Sequence, residues 1–317
     1  MTATSARPGR TTAPARAARR PRPAGGAPPG EPRRVAYLYI LPAFAIYAAF
    51  LLFPIGRAVQ LSLYDWDGLS LGRWAGLSNY ADLLADERLR AAFGHAAVLL
   101  VFYAVLPLAV GLALAAVLNH AKVRGLGFFR TVIFLPQVIA MVVVAVAWRR
   151  VYAPDGSLND LLRAVGLDGL ARGWLGDYAF ALPAVGVVGT WFESGLVTVL
   201  LLAGMSRVPQ QLYEAARLEG ASAVREFFAI TLPAVRGEIA VALTLTMIAA
   251  LRTFDLVYVT TRGGPGDSTT VPSFEVYRRA FENGQVGSAA AIGVTLTAII
   301  FVVSFAVNRL TDRATAP

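Results

Sequence analysis

The sequence predicts an all-α, polytopic helical membrane protein with six transmembrane helices. Of its 317 residues 56% are hydrophobic and 15% charged, too few charges to coat a soluble domain of that length. The apolar residues gather into runs of about twenty, the length an α-helix needs to cross a bilayer's hydrocarbon core. The basic residues are also unevenly divided. With six spans drawn, seventeen of the 29 fall on one side, and a basic excess marks the cytoplasmic face. Both termini are therefore expected inside, and the heavy excess of arginine over lysine with abundant alanine hints at a GC-rich bacterial genome and so at a bacterial plasma membrane.

Residues 1–34 carry eight arginines among Ala, Pro, Gly and Thr. Such a segment cannot bury enough apolar surface to offset its ordering entropy and is expected to be a disordered cytoplasmic tail. Arg33 and Arg34, followed by VAYLYILPAFAIYAAFLLFP, look like the start of an export signal, but the apolar run is too long for a signal core. Val35 to about Ile55 is expected as a retained first helix, and residues 35–91 as that helix plus an external loop. The loop holds Asp65, Asp67, Asp82, Asp86 and Glu87.

Residues 92–311 form the main transmembrane domain, with spans at about 92–118, 129–147, 179–202, 239–258 and 289–307. His120, Lys122 and Arg124 link the first two of these and suit the cytoplasm. Pro107 and Pro136 lie inside spans and should kink them. The polar loop 149–178 has a short helix at Leu158 to Val165. Between the fifth and sixth long runs, Arg262–Gly–Gly–Pro–Gly–Asp267 suggests a phosphate cradle, but it lacks a lysine and reads better as a turn.

Composition excludes much chemistry. There is no cysteine, hence no disulfide, thiolate zinc site or cysteine nucleophile. The two histidines, His95 and His120, are too far apart for a helical zinc motif. Lys122, the one lysine, follows Ala121, so no Gly–Lys–Ser/Thr phosphate loop exists. No metal or cofactor is expected on this chain, and any ATP must be bound by another.

The polar insert at 204–236 is the most informative stretch. Pro209 suits a first helical position and Gln210 to Glu219 are good helix formers. Gly220 ends that helix in the left-handed conformation, Ser222 caps a second, and Val224, Phe227 and Phe228 make its apolar stripe. Pro233 is expected to stop it. The result is a helical knob, small at Ala215 and Ala216 and charged at Glu214, Arg217 and Glu219, fit for a groove on another protein.

The spacing Glu214–Ala–Ala, three residues, Gly220, nine residues, Ile230–x–Leu232–Pro233 resembles the signature of membrane subunits of binding-protein-dependent ATP-binding-cassette importers. From about Leu41 onward the chain resembles the first of two permeases in sugar and glycerol-phosphate importers of the maltose type. SLYDWDG at 62–68, GLSNY at 76–80, FFRTVIFLP at 128–136 and FDLVYVTTRGGPGDST at 254–269 carry that likeness. It implies the ABC type-I importer permease fold with cytoplasmic coupling helices. The partners it implies are a second permease in a pseudo-symmetric pair, two ATPase subunits holding ATP and Mg, and an extracellular solute-binding protein. The coupling role falls on Glu214, Ala215, Ala216 and Gly220, with Arg217 and Glu219 as neighbours. A transport subunit of this kind makes no bonds and is no enzyme.

Ionisable groups at membrane depth cost several kcal/mol and turn toward a bundle interior or cavity. Glu193, Arg252 and Asp255 are expected there. With Trp191, Phe192, Ser194, Phe254 and Tyr258 they line a solute path, or else pair and fix helix packing. Two other functions compete. One is an ion-coupled secondary transporter using Glu193, Arg252 and Asp255 as a relay. The other is a membrane-tethered DNA-binding regulator with a helix-turn-helix at 210–231, which would need base-edge donors where Phe227 and Phe228 stand. Nucleic acid is accordingly not expected as a partner, whereas membrane lipid is.

Overall fold

A computed structural model describes residues 33–120 and 125–315. The tail before residue 33 and the Lys122–Arg124 connection lie outside the described residues. The chain divides into two compact units, Met1–Pro54 and Ile55–Pro317. In the first, α1 (Arg33–Tyr47) is followed by a π-helical turn at Ala48–Leu52.

α2 (Phe53–Leu61) begins at the end of the first unit and continues into the second, where a two-stranded antiparallel hairpin follows. β1 (Tyr64–Asp65) pairs with β2 (Arg73–Trp74), Tyr64 opposite Trp74 and Asp65 opposite Arg73. Asp67 shapes the hairpin tip by accepting from the Leu69 and Ser70 amides at 2.9 and 2.7 Å. α3 (Ser78–Ala85) is anchored by Asn79, whose amide donates to the Ser62 and Tyr64 carbonyls at 2.8 and 3.0 Å.

Among the described residues four helices are long and apolar enough to cross a membrane: Tyr37–Leu61, α4 (Glu87–Asn119), α8 (Ala181–Met205) and the helix containing Val286–Arg309. Two bent pairs bring the number to six if each is one span. The first pair is α5 (Leu126–Val138) with α6 (Met141–Val151), bent by 96°. A single span was expected at 129–147. The bend falls at Ile139 and Ala140, both extended with ψ of 133° and 134°, after Pro136 has removed an amide from the helix's last turn. The loop helix α7 (Ser157–Ala164) follows.

The second pair is α10 (Ala223–Ala234) with α11 (Arg236–Leu251), bent by 69°. α9 (Gln210–Leu218) precedes it. Two expectations are corrected here. Pro233 does not stop the helix, which ends one residue later, and the fifth span does not run to Tyr258. α11 ends at Leu251, Arg252 is its exposed C-cap, and a separate α12 (Asp255–Thr260) begins after Phe254. Then come α13 (Pro272–Tyr277) and α14 (Val286–Thr315).

Three prolines that helices run through, Pro54, Pro107 and Pro233, share one device. A π turn ends two residues before Pro54, Pro107 and Pro233, and the amide closing it belongs to the residue just before the proline: Phe53 to Ala48, Leu106 to Val101, Leu232 to Phe227. A proline ring clashes with the carbonyl four residues back. The extra residue in a π turn shifts that carbonyl, and the helix continues.

α8 is the central helix, packed by α4, α5, α11 and α12. The core joins Leu99 and Tyr103 of α4, Val144 and Ala145 of α6, Val185 and Val188 of α8, and Leu256 and Val257 of α12. Its glycines permit this closeness: a Cβ on Gly189 would fall on the Tyr103 ring, and one on Gly195 on the Ile133 carbonyl. Small residues at such crossings let backbones approach.

Candidate coupling surface and intramembrane polar cluster

The insert folds into two helices joined by a left-handed cap. Gly220 has φ +81°. Its amide donates to the Arg217 carbonyl at 3.0 Å, and the Ala221 amide to the Ala216 carbonyl at 2.9 Å, the paired bonds of a Schellman ending. Ser222 then caps α10, its hydroxyl accepting from the Arg225 amide. Pro209 stands at the N-cap of α9 with ψ 131°, one residue earlier than expected, because its extended backbone lies outside the helix.

Glu214, Ala215, Glu219 and Gly220 are exposed, and Ala216 is half-buried. Leu218 is 91% exposed, with Leu212, Val224 and Phe228 also open. All four are exposed apolar side chains on the knob, which also exposes the charged Glu214, Glu219 and Arg225. Phe227, expected in the same stripe as Val224 and Phe228, instead packs against the core around Met205 and Val235. Arg217 and Glu226 form a two-point ion pair at 2.8 and 3.2 Å, and the Tyr213 hydroxyl lies 3.0 Å from that of Thr231. The Glu226 carboxylate holds the Arg217 guanidinium above its ordinary pKa.

The other group of named residues does not gather into one cluster. Glu193 is 5% exposed; the Gln137 amide donates to its carboxylate at 3.5 Å and to the Phe192 carbonyl at 2.9 Å. Gln137 thus ties the α5 end of the bend to α8. Among the described residues neither Arg252 nor Asp255 forms an ion pair with Glu193, and both are exposed. Trp191 is partly exposed against Trp148, ring centres 5.6 Å apart, and Ser194 turns its hydroxyl back to the Trp191 carbonyl. Phe254 stacks on Tyr258 at 5.2 Å, and Tyr258 meets Tyr277 at 5.1 Å.

Several of these partners were missed from sequence. Gln137, the one amide in the apolar stretch FLPQVIA, was detectable as a polar group at membrane depth. Tyr277 and Glu226 lie on separate helices from their partners, and no periodicity links them. Arg262–Asp267 folds as part of a turn: the amides of Gly264, Ser268, Thr269 and Thr270 donate to the carbonyls of Thr261, Pro265, Gly263 and Asp267, and Asp267 pairs with Arg88 and Arg278. His95 packs beside it, Nδ1 2.9 Å from the Thr270 carbonyl. Among the described residues no group of three His, Asp or Glu could hold a metal ion.

Residues 107–316 match the family described as "Binding-protein-dependent transport system inner membrane component". The chain belongs to this family. It is a permease, a transport subunit rather than an enzyme, and a multi-pass membrane protein. Among relatives, "Probable ABC transporter permease protein YurN" of Bacillus subtilis is 39% identical over 277 residues, covering 85% of this chain and 93% of that protein. "Diacetylchitobiose uptake system permease protein NgcF" of Streptomyces coelicolor is 36% identical over 323 residues, covering 93% and 90%. "Trehalose/maltose transport system permease protein MalF" of Thermococcus litoralis is 32% identical, covering 86% and 92%. A solved bacterial transporter involved in import of the acidic polysaccharide alginate has the same fold, with a TM-score of 0.75 at 23% identity over 89% of this chain and 96% of that one. Membership in the family gives no support to the ion-coupled transporter or the DNA-binding regulator.

Proposed function

We propose that this permease forms half of the transmembrane path of an ATP-driven importer for a small carbohydrate. The observation that carries the coupling half of this reading is the exposed α9–α10 knob, which presents Glu214, Ala215, Glu219 and Gly220 beside the open side chains of Leu218 and Phe228. Exposed apolar side chains together with charged ones suit a groove on another protein, here an ATP-binding-cassette subunit facing the cytoplasm. A second permease completes the path, two ATPase subunits hold ATP and Mg, and an extracellular binding protein delivers solute. Both termini of the chain lie in the cytoplasm.

In this reading ATP-driven closure of the ATPases moves the knob. The bend at Val235 carries the movement into α11, and the bundle exchanges outward-open for inward-open states. Glu193, held by Gln137 where α5 meets α6, and the Phe254–Tyr258 stack after the α11 break offer the path hydrogen-bonding and aromatic groups. Trp191, Phe192, Ser194, Arg252 and Asp255 are the remaining candidates. Carbohydrate is favoured because similar permeases are named for diacetylchitobiose, lactose and trehalose/maltose.

The test is uptake of labelled disaccharides by proteoliposomes holding the complete transporter and its binding protein. Uptake should require ATP, and Glu214→Lys or Gly220→Pro should leave the chain inserted while lowering retained ATPase about tenfold or more. Wild-type retention of ATPase by both variants, or uptake driven by a proton gradient without ATPase, would contradict the proposal.

A further inference from the structure

Arg217 sits directly after the Glu–Ala–Ala triplet, and its half-exposed side chain reaches across the knob to a buried carboxylate. Nε donates to Glu226 Oε1 at 2.8 Å and Nη2 to Oε2 at 3.2 Å, and the Glu226 side chain is 2% exposed. Arg217 also lines a cavity of about 290 Å³ at the root of α9, with Asn119, Ser206 and Tyr213. A two-point guanidinium–carboxylate pair fixes relative orientation as well as distance.

The contact between Tyr213 and Thr231 at 3.0 Å is a second tie between the same two helices. On α9, residues 213 and 217 are one turn apart. On α10, residues 226 and 231 bracket the π turn Phe227–Thr231, again about one turn. Two ties a turn apart on both helices, closed at one end by the Gly220 cap, oppose a change in crossing angle.

We infer that Arg217 and Glu226 are positioning residues, which set the angle between α9 and α10 so that force received on α9 reaches α11. They act through the shape of the knob and not by touching the ATPase. This inference rests on the coupling role proposed above for the same knob, and its test separates the two.

The chain has no cysteine, so spin labels at Gln211→Cys and Arg225→Cys, both exposed positions, report the angle without background. Distances are measured first in the full-length chain in lipid nanodiscs, then with ATPase added. Arg217→Gln and Glu226→Gln should each broaden the distance distribution and keep the ATPase bound. Solute moved per ATP should fall about threefold or more. The exchanged pair, Arg217→Glu with Glu226→Arg, should restore both readouts. Unchanged distances in Glu226→Gln, or loss of ATPase in Arg217→Gln that the exchanged pair does not restore, overturns the inference. A wild-type chain that never retains ATPase defeats the coupling role itself, and is told apart because the label distances are read before ATPase is added.

Discussion

At Gly189 the methyl group of an alanine would land on the Tyr103 ring, which is itself buried between α4 and α8. Forcing an atom into a packed core costs about 1–3 kcal/mol. Gly189→Ala should therefore lower the unfolding temperature of the purified protein in detergent, while Gly94→Ala, inside α4 with open space around its Cβ, should hold it or raise it slightly. Equal melting of both variants would contradict the packing described. Asp86 offers a test by pH. It caps α4 by accepting from the Arg88 and Leu89 amides and pairs with Arg279. Burial, the largest single influence, pushes its carboxyl pKa up, but the Leu89 and Arg88 amides and Arg279 act against it and the net effect holds it below the ordinary 3.8. A lowered folded pKa means stability that is fully present above 3.8 and lost as pH falls through the folded value. Amide exchange at the start of α4 should accelerate in that acid range, and Asp86→Asn should be protected less at neutral pH and show a flatter acid response. An identical acid response in the variant would exclude Asp86 as the titrating group.

Among the elements, the knob was the most legible in sequence and the bends were the least. Gly220 and Ser222 are local signals whose geometry follows from backbone freedom and capping, and both helices form where those signals place them. Pro107 and Pro233 were visible as helix breakers, yet the π turns ahead of them keep the helices running. A one-residue change in hydrogen-bond register leaves no trace in apolar periodicity. The break after α5 falls on Ile139 and Ala140, just past Pro136, where a kink was expected. Its size, 96°, was not legible, and there Gln137 is held by the Phe192 carbonyl on α8, a contact no local pattern encodes. Arg252 was visible as a charge in an apolar run, but the run is two helices and the arginine marks where the first ends. The aromatic contacts of Tyr258 with Tyr277 depend on how α13 packs, which no local pattern encodes.

For the whole molecule, the bends divide labour. α4, α8 and α14 are long, straight-through candidates for the membrane, whereas each bent pair joins a short arm to a longer body. In α10–α11 the short arm is the second half of the knob, so motion imposed there has a direct mechanical route to the bundle. At the other end of α11, the Arg278 and Arg279 side chains engage Glu275, Asp267 and Asp86. This paired network of charges ties α13 to the start of α4, and Gly287 of α14 donates to the Trp66 carbonyl of the hairpin at 3.1 Å. Ion pairs thus fix the packing of α13 against α4, while the knob exposes Leu212, Leu218, Val224 and Phe228. The most direct test of the account is the sidedness of Leu218. Leu218→Cys, in a chain with no other cysteine, should react with a membrane-impermeant maleimide in inverted vesicles and not in right-side-out ones, and should be shielded when the ATPase subunit is added. Reaction from the outer face, or undiminished reaction with ATPase present, would contradict it.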